Sequence, residues 1–287
     1  MNNLFKISGF SDEKTGNVET QFTHLNKLGI SYFEPRGING KNISELDSGE
    51  VSRLKEIMGQ YGIRVSSIGS PIGKIKITDD FGQHMELLKR VIQTAQMLEA
   101  HFIRVFSFFV PQGKAPDYRE EVLDRVGQMV TLAEREGVVL LHENEKDIYG
   151  DVAVRCWDLF QNIQSPAFGC VFDPANFIQC GQSTYPDAFD RLEPYIRYLH
   201  IKDAKPDGTV VPSGYGEGHV KEIIERLAAK EEFRQDGLFL SLEPHLGNFA
   251  GLADLELDDH MLELEESGPD KFTMAFEALQ NILKDIK

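Results

Sequence analysis

The sequence is poor in cysteine and tryptophan, and it contains no long apolar run. Its 287 residues include 3 cysteines and 1 tryptophan. Cys156, Cys170 and Cys180 are odd in number and lack CxxC or zinc-finger spacing, which argues against a disulfide framework and is typical of a reducing compartment. No stretch approaches the ~18 apolar residues of a membrane helix, and the N-terminus resembles no secretory signal. We therefore expect a cytoplasmic protein without a membrane partner.

Basic residues are also scarce. The chain has 30 lysines and arginines against 46 acidic residues, which gives a formal net charge of -16. A surface this acidic repels a phosphate backbone unless a basic stripe compensates, and no run of lysine or arginine is present. We therefore expect no nucleic-acid partner. Part of the excess acid lies between Asp254 and Glu266, which we interpret as a solvated insertion.

Short β-rich runs recur along the chain and alternate with helix-like segments. Each run is nearly continuous in apolar character, as expected for parallel strands covered on both faces. The eight runs are Leu4–Ser8, Ile30–Phe33, Ile63–Ile68, Phe102–Phe106, Val138–His142, Phe168–Phe172, Ile196–Ile201 and Leu238–Leu242. The segments 80–99 and 117–136 place apolar residues at three- and four-residue spacing, which predicts amphipathic helices.

Eight such units without a long linker favour a closed barrel. Gly29, Gly62 and Gly137 each stand between a helical segment and the next run, where a left-handed helix cap is expected. The alternative is an open doubly wound sheet, which needs a GxGxxG turn after its first strand. The chain has SGFSDEKTG there. We therefore predict a single-domain (β/α)8 TIM barrel over residues 1–287.

In a parallel barrel, functional residues gather at the carboxyl ends of the strands. Glu143, Asp173, His200 and Glu243 end the last four predicted strands. Neighbouring strand ends lie about 5 Å apart, so these side chains can converge on one point. Three carboxylates crowded together would repel one another, and a divalent cation removes that repulsion. The set of three carboxylates and one histidine favours Mn²⁺ or Mg²⁺, with Co²⁺ or Zn²⁺ as alternatives.

Four segments carry a resemblance to a known family. LLHENE, FDPANF, YLHIKDA and LSLEPH, in this order and spacing, resemble the xylose isomerase-like TIM barrel superfamily of sugar and sugar phosphate isomerases, epimerases and inosose dehydratases. The resemblance spans almost the whole chain. It implies one divalent metal ion, often Mn²⁺, bound through Glu143, Asp173, His200 and Glu243. It also implies a homo-oligomer, since a neighbouring subunit often covers the barrel mouth in this family.

The sequence departs from the family pattern in two places. Many ketose epimerases of the family have Asp-x-x-His after the sixth strand, and the histidine contacts substrate, whereas this chain has Asn176. An amide forms hydrogen bonds but does not shuttle protons near neutral pH, so the departure puts the identity of the substrate in doubt. The segment 244–268 has no clear counterpart in the family, and we interpret it as an insertion, a lid or an oligomer contact.

A metal ion and two glutamates imply a reaction class. A bound cation polarises a carbonyl, and the proton on the adjacent carbon becomes more acidic. We expect Glu143 and Glu243 to be an acid–base pair that exchanges this proton. The predicted function is therefore a divalent-metal-dependent sugar or sugar phosphate isomerase or epimerase.

Other polar residues at the predicted strand ends are expected to contact substrate. Lys202 and Lys74 are suited to bind a hydroxyl or an anion, although either can also be an ordinary loop lysine. Glu34 and Arg36 face the mouth in one interpretation and form a surface ion pair in the other. The predicted substrate-binding set is Asn176, Lys202, Asp203, Lys74, Glu34, Arg36 and His245. The glycine-rich loop 214–218 has two interpretations, a phosphate cradle or a mobile loop over the site.

Three other functions compete with the isomerase. A lyase of the inosose dehydratase kind would use the same metal and base but expel a β-hydroxyl group. A DNA-repair endonuclease needs more histidines and a basic track, neither of which this chain has. A non-catalytic sugar-binding barrel would have little use for two opposed glutamates.

Overall fold

Eight parallel strands form the centre of the molecule. The structure is a computed structural model, and it describes residues 4–246 and 270–286. The barrel strands are β1 Phe5–Gly9, β2 Tyr32–Phe33, β3 Arg64–Val65, β4 Phe102–Val105, β5 Val139–Glu143, β6 Phe168–Phe172, β7 Ile196–Ile201 and β8 Leu238–Leu242.

The pairing of these strands closes a ring. Six of them form one parallel sheet in the order β1-β8-β7-β6-β5-β4. A parallel bridge between Ile68 and Ile103 continues the sheet from β4 to the end of β3, and β3 pairs with β2. The amide of Glu34 donates to the carbonyl of Gly9 at 3.0 Å and returns the sheet to β1. The predicted TIM barrel is therefore confirmed.

Helices cover the outside of this ring. They are α1 Val18–Lys27, α2 Ser48–Tyr61, α3 Phe81–Met97, α4 Ala115–Glu136, α5 Ala153–Asn162, α6 Pro174–Gln179, α7 Phe189–Leu192, α8 Val220–Ala228, α9 Glu231–Asp236 and α10 Lys271–Asp285. Their apolar faces are buried, as on α4, where Val122, Val126, Met129 and Ala133 lie against the sheet. Within the described residues, no helix is both long and apolar enough to span a bilayer.

The element boundaries follow the predicted ones closely. β6, β7 and β8 begin and end at the predicted residues, and Gly29, Gly62 and Gly137 adopt positive φ at the predicted caps. β2 and β3 are shorter than predicted, because regular pairing there covers only two residues of each strand. Most of the predicted 244–268 insertion, residues 247–268, lies outside the described residues.

Alternation along β7 determines which side chains enter the barrel. Tyr198, His200 and Lys202 are two residues apart and all contact residues from other strands inside the ring. They form successive levels from the interior toward the carboxyl ends of the strands. Asp203 is one residue further along and points to the loop that follows β7.

Candidate metal centre

The four predicted ligands meet at the carboxyl ends of β5 to β8. Glu143 is the last residue of β5, Asp173 and Glu243 directly follow β6 and β8, and His200 lies near the end of β7. One ligand atom from each of the four lies within 4.8 Å of the other three, and all four side chains are buried. The convergence predicted from the strand ends is therefore present in the structure.

His200 is at the centre of the group. Its Nδ1 lies 3.0 Å from Oε1 of Glu143, 3.4 Å from Oε2 of Glu243 and 3.8 Å from Oδ2 of Asp173. Burial lowers the pKa of His200, but the charges of Glu143, Glu34 and Glu243 outweigh burial and raise that pKa well above its ordinary value. The three carboxylates thus favour a positive charge at the position of His200.

Asp173 divides its two oxygens between folding and the site. Oδ1 accepts a hydrogen bond from the amide of Asn176 at 2.9 Å and caps α6, whereas Oδ2 accepts none. Asn144 fixes the same strand end, because its side chain exchanges two hydrogen bonds with the backbone of Asp173. Asn176 also donates to Oε1 of Glu143 at 3.3 Å. The first turn of α6 thus orients two of the four ligands.

The ammonium group of Lys202 lies beside the ligand oxygens. It is 3.0 Å from Oδ2 of Asp173 and 3.0 Å from Oε2 of Glu243, and the residue is 3% exposed. Burial raises the pKa of Asp173, and the pKa stays raised despite Lys202. Burial also raises the pKa of Glu243, but Lys202, His245 and His200 outweigh it and hold that pKa well below its usual range.

Two buried arginines contact the remaining glutamate oxygens. Nη1 of Arg104 lies 3.2 Å from Oε2 of Glu143 and 3.7 Å from Oε1 of Glu243. Nη1 of Arg36 lies 3.5 Å from the same Glu243 oxygen, while its Nε and Nη2 donate to both oxygens of Asp12. Each glutamate therefore directs one oxygen toward His200 and the other toward an arginine.

Glu34 lies beneath the ligand group rather than at the mouth. Its Oε2 accepts from Tyr198 at 2.9 Å and from Ser241 at 2.7 Å, and it is 3.4 Å from Nε2 of His200. Tyr198 is also hydrogen-bonded to Ser66 at 2.8 Å. The hydroxyl groups of Tyr198 and Ser241 hold the carboxylate of Glu34 beside Nε2 of His200. This nitrogen faces away from the other three ligands.

The rim of the site carries further ion pairs. Nζ of Lys74 lies 3.0 Å from Oε2 of Glu145. His245 lies 3.4 Å from Oε1 of Glu243, and its backbone amide donates to Glu13. Glu13 also contacts Arg36, and burial raises the pKa of Glu13 to about 8. The structure thus places Arg36, Lys202, Asn176 and His245 in contact with the ligand group, and Lys74 in an ion pair on the rim.

Asp203 is separated from this group by its own hydrogen bonds. Its carboxylate accepts four backbone amides, from Ala204, Gly214, Gly216 and Gly218, at 2.8–3.0 Å. A Cβ atom at Gly216 would lie 2.3 Å from Oδ1 of Asp203, so the glycine allows this close approach. The amides that we interpreted as a phosphate cradle therefore already bind a carboxylate of the chain itself.

Several residues of the site have no assigned role in the sequence-based prediction, among them Arg104, Asp12 and Tyr198. Arg104 had a detectable signal, since a charged residue inside the apolar run FIRV must point into the barrel or pair with a buried acid. Tyr198 precedes His200 by two residues and so shares its face of β7. Asp12 lies in the loop after β1, where the sequence shows no periodicity.

The donor set fits a divalent cation. Oδ2 of Asp173 is buried and forms no hydrogen bond within the described residues, and it lies on the Nδ1 side of His200 at 3.8 Å. A buried carboxylate oxygen without a hydrogen bond is costly, and a cation among carboxylate oxygens and one imidazole would remove much of that cost. Oxygen-rich ligation of this kind suits Mg²⁺, Mn²⁺, Co²⁺ and Zn²⁺.

Known proteins share this architecture. The family model described as xylose isomerase-like TIM barrel matches residues 22–257. A structure of the probable 3-DHS dehydratase AsbF of petrobactin synthesis from Bacillus anthracis is 17% identical, with a TM-score of 0.72 over 96% of this chain and 99% of that one. No protein of curated function matches the sequence.

Two further structures are similar over nearly their whole length. An IolI protein with a bound zinc atom is 15% identical, with a TM-score of 0.73 over 98% of this chain and 99% of the other. A D-psicose 3-epimerase in the presence of D-fructose is 16% identical, with a TM-score of 0.67 over 97% of both chains. At these identities the likeness establishes a shared fold.

Proposed function

Because the chain belongs to the xylose isomerase-like TIM barrel family, we propose that it is a divalent-metal-dependent isomerase or epimerase of a sugar or sugar phosphate. The observation that carries the proposal is the convergence of Glu143, Asp173, His200 and Glu243 on one buried point. The epimerase among the similar structures supports the same reaction class.

In this proposal the four converging residues hold one divalent ion, with Mn²⁺ as the first choice and Mg²⁺, Co²⁺ or Zn²⁺ as alternatives. When bound, the ion would supply Lewis-acid polarisation of the substrate carbonyl. The zinc atom in the similar IolI protein supports a divalent ion in this fold. Lys202 already places a positive charge between Asp173 and Glu243, so the same oxygens can accommodate a cation.

Glu143 and Glu243 are the proposed acid–base pair. Each has one oxygen near His200 and a second oxygen near Arg104. The second oxygens are available to take a proton from the carbon beside the carbonyl and to return one. Arg104 lies between them, and its positive charge can stabilise negative charge that develops on the substrate.

The remaining contacts of the substrate are proposed for the residues around this pair. Asn176 holds Glu143, and Arg36 and His245 contact Glu243, so all three can orient an acid–base group as well as a hydroxyl of the sugar. Lys202 and Lys74 are proposed donors to substrate oxygens. Glu34 and Asp203 were predicted to contact substrate, but Oε2 of Glu34 and both oxygens of Asp203 accept hydrogen bonds from other groups of the chain. We propose that Glu34 positions His200 and that Asp203 stabilises the loop after β7.

A lyase of the dehydratase kind is the second proposal. The similarity to a structure described as a probable dehydratase favours it, and Asn176 in place of the epimerase histidine is compatible with it. Both reactions begin with the same proton removal. In the lyase a β-hydroxyl group leaves as water, so the product is lighter than the substrate by one water, whereas isomerisation and epimerisation conserve mass.

Exchange of substrate hydrogen in D₂O tests the shared first step. The metal-loaded protein is incubated with ketoses, their phosphates and inososes, and each product is examined by mass spectrometry and NMR. We expect one carbon-bound deuterium in an active compound, and a loss of about 10²–10⁴-fold in rate for Glu143→Gln. Glu231→Gln, on exposed α9, is the control with the same change and should exchange like the wild type. Full activity of Glu143→Gln would contradict the assignment, and bound sugar that never exchanges would favour a binding protein.

A further inference from the structure

The charged groups around the ligand site are close to self-neutralising. Seven carboxylates form a cluster that comprises the site and its rim: Asp12, Glu13, Glu34, Glu143, Glu145, Asp173 and Glu243. Four permanent cations accompany them: Arg36, Lys74, Arg104 and Lys202. The cluster therefore has three more carboxylates than cations. A divalent ion would reduce this excess to one, so the site with its ion would be close to electrical balance.

Each cation of the cluster is already paired with acids of the chain. Nε and Nη2 of Arg36 donate hydrogen bonds to the two oxygens of Asp12. The edge of the Arg36 guanidinium that could bind a phosphate or carboxylate bidentately is therefore already occupied. Lys74 is paired with Glu145 at 3.0 Å, and its side chain is 7% exposed. Arg104 and Lys202 each contact two acidic side chains. The described site thus offers no cation in excess of its own acids.

Backbone amides offer no anion site there either. Gly214, Gly216 and Gly218 form the turn that most resembles a phosphate cradle, and their N–H groups donate to Asp203. An added phosphate would have to displace a carboxylate that is 1% exposed. The segment 247–269, which lies outside the described residues, contains no lysine or arginine. This segment therefore contributes no permanent positive charge of its own.

We propose that the substrate of this site is an uncharged polyhydroxy ketone, either a free ketose or a cyclic inosose, and that its phosphorylated or carboxylated analogues are rejected. The inference rests on the proposed function, because it names the substrate class of the same site. An uncharged ligand leaves the charge balance intact. A phosphate dianion adds two negative charges to a buried group that has no positive charge in excess, and like charges in such a setting repel strongly.

One buried donor fits a hydroxyl or carbonyl oxygen. Nε of Arg104 forms no hydrogen bond within the described residues, although its Nη1 contacts Glu143 and Glu243. A single N–H group can satisfy one oxygen of a neutral sugar. The charge of the same guanidinium is balanced by Glu143 and Glu243, which its Nη1 contacts. The Nε–H group is thus suited to donate to a hydroxyl or carbonyl oxygen of an uncharged substrate.

Binding of inorganic phosphate to the magnesium-loaded protein, measured by calorimetry, tests the charge argument without turnover. We expect no saturable binding by the wild type in the millimolar range. Glu145→Gln releases Lys74 from its ion pair and should bind phosphate at least about tenfold more tightly than the wild type. Glu231→Gln removes one charge from exposed α9 and should bind like the wild type. Micromolar binding by the wild type, or no gain in Glu145→Gln, would overturn the proposal.

Matched substrate pairs give the second arm. D-fructose with D-fructose 6-phosphate, and an inosose with its phosphate, are compared by deuterium exchange. We expect exchange only in the uncharged member of a pair. Faster exchange of the phosphorylated member would overturn the inference while supporting the proposed function. A different outcome is that calorimetry shows no phosphate binding and that no compound exchanges deuterium. This result would contradict the proposed function but would still support the charge selectivity of the site.

Discussion

Two buried carboxylates at neighbouring strand ends, Asp173 after β6 and Asp203 after β7, have opposite surroundings. Asp203 accepts four backbone amides, which engage both of its oxygens. Asp173 uses Oδ1 to cap α6, and its Oδ2 accepts no hydrogen bond although Lys202 is 3.0 Å away. A carboxylate saturated by backbone amides stabilises a loop, whereas one with an unsatisfied buried oxygen retains the capacity to bind a ligand.

Replacing Asp203 tests the structural side of this comparison, where we expect the largest effect on stability. In Asp203→Asn the charge is lost and an amide group faces backbone donors of the loop. We expect the free energy of unfolding to fall by about 3 kcal/mol, measured by urea denaturation. The amount of bound metal should not change. Loss of metal with unchanged stability would show that Asp203 belongs to the metal site and would break the comparison.

Glu34 lies between the two extremes and sharpens the comparison. One of its oxygens accepts two hydroxyl groups and faces His200, and the other makes no hydrogen bond in the described residues. A carboxylate on the second ring nitrogen of a metal-binding histidine orients the ring and raises its basicity. We expect Glu34→Gln to weaken metal binding about 10–100-fold, measured by calorimetry, without changing the stoichiometry.

Tyr198→Phe is the matched control for Glu34→Gln. It removes one hydroxyl group from Glu34 but leaves the carboxylate beside His200, so the loss of metal affinity should be smaller. An unchanged metal affinity in Glu34→Gln would remove Glu34 from the account of the site.

His142 gives the smallest expected effect and concerns pH. It is fully buried on the outer side of β5, bonded to Ser107, and burial lowers its pKa to about 3. The unfolded chain binds a proton at this residue below about pH 6.5, and the folded chain does not until near its lowered pKa. This histidine therefore makes stability fall as pH falls through that window.

Between pH 7 and pH 5.5 the contribution of His142 changes by about 1.3 kcal/mol. Urea denaturation at the two pH values should give a smaller pH dependence in His142→Gln than in the wild type, by about that amount. Equal pH dependence in both proteins would mean that His142 is protonated in the folded state.

Local sequence signals account for the elements that were predicted correctly. β6, β7 and β8 are largely apolar runs that are each followed directly by a charged residue, and Gly62 and Gly137 mark helix ends at positive φ. The parallel barrel then brings the residues after successive strands to one edge. That geometry is why Glu143, Asp173, His200 and Glu243 could be predicted as a group from the sequence.

The contacts that were missed depend on residues far apart in the chain. Asp203 is held by amides 11–15 residues later, which no periodic pattern predicts. Glu34 lies beneath His200 because Tyr198 and Ser241, from β7 and β8, reach it inside the barrel. Arg36 and Asp12 pair across two loops. The contacts of Glu34 and Arg36 require the closure of the barrel, and those of Asp203 require the path of the loop after β7; strand prediction alone contains neither.

Metal content measured by elemental analysis is the most direct test of the central claim. The wild type is purified without chelator and compared with Glu243→Ala, with Asp203→Asn as a control outside the ligand group. We expect about one Mn, Mg, Co or Zn ion per chain in the wild type and in Asp203→Asn, and loss of that ion in Glu243→Ala. No metal in the wild type, even after loading, would show that the four residues do not form a metal site and would remove the basis of the proposed isomerase.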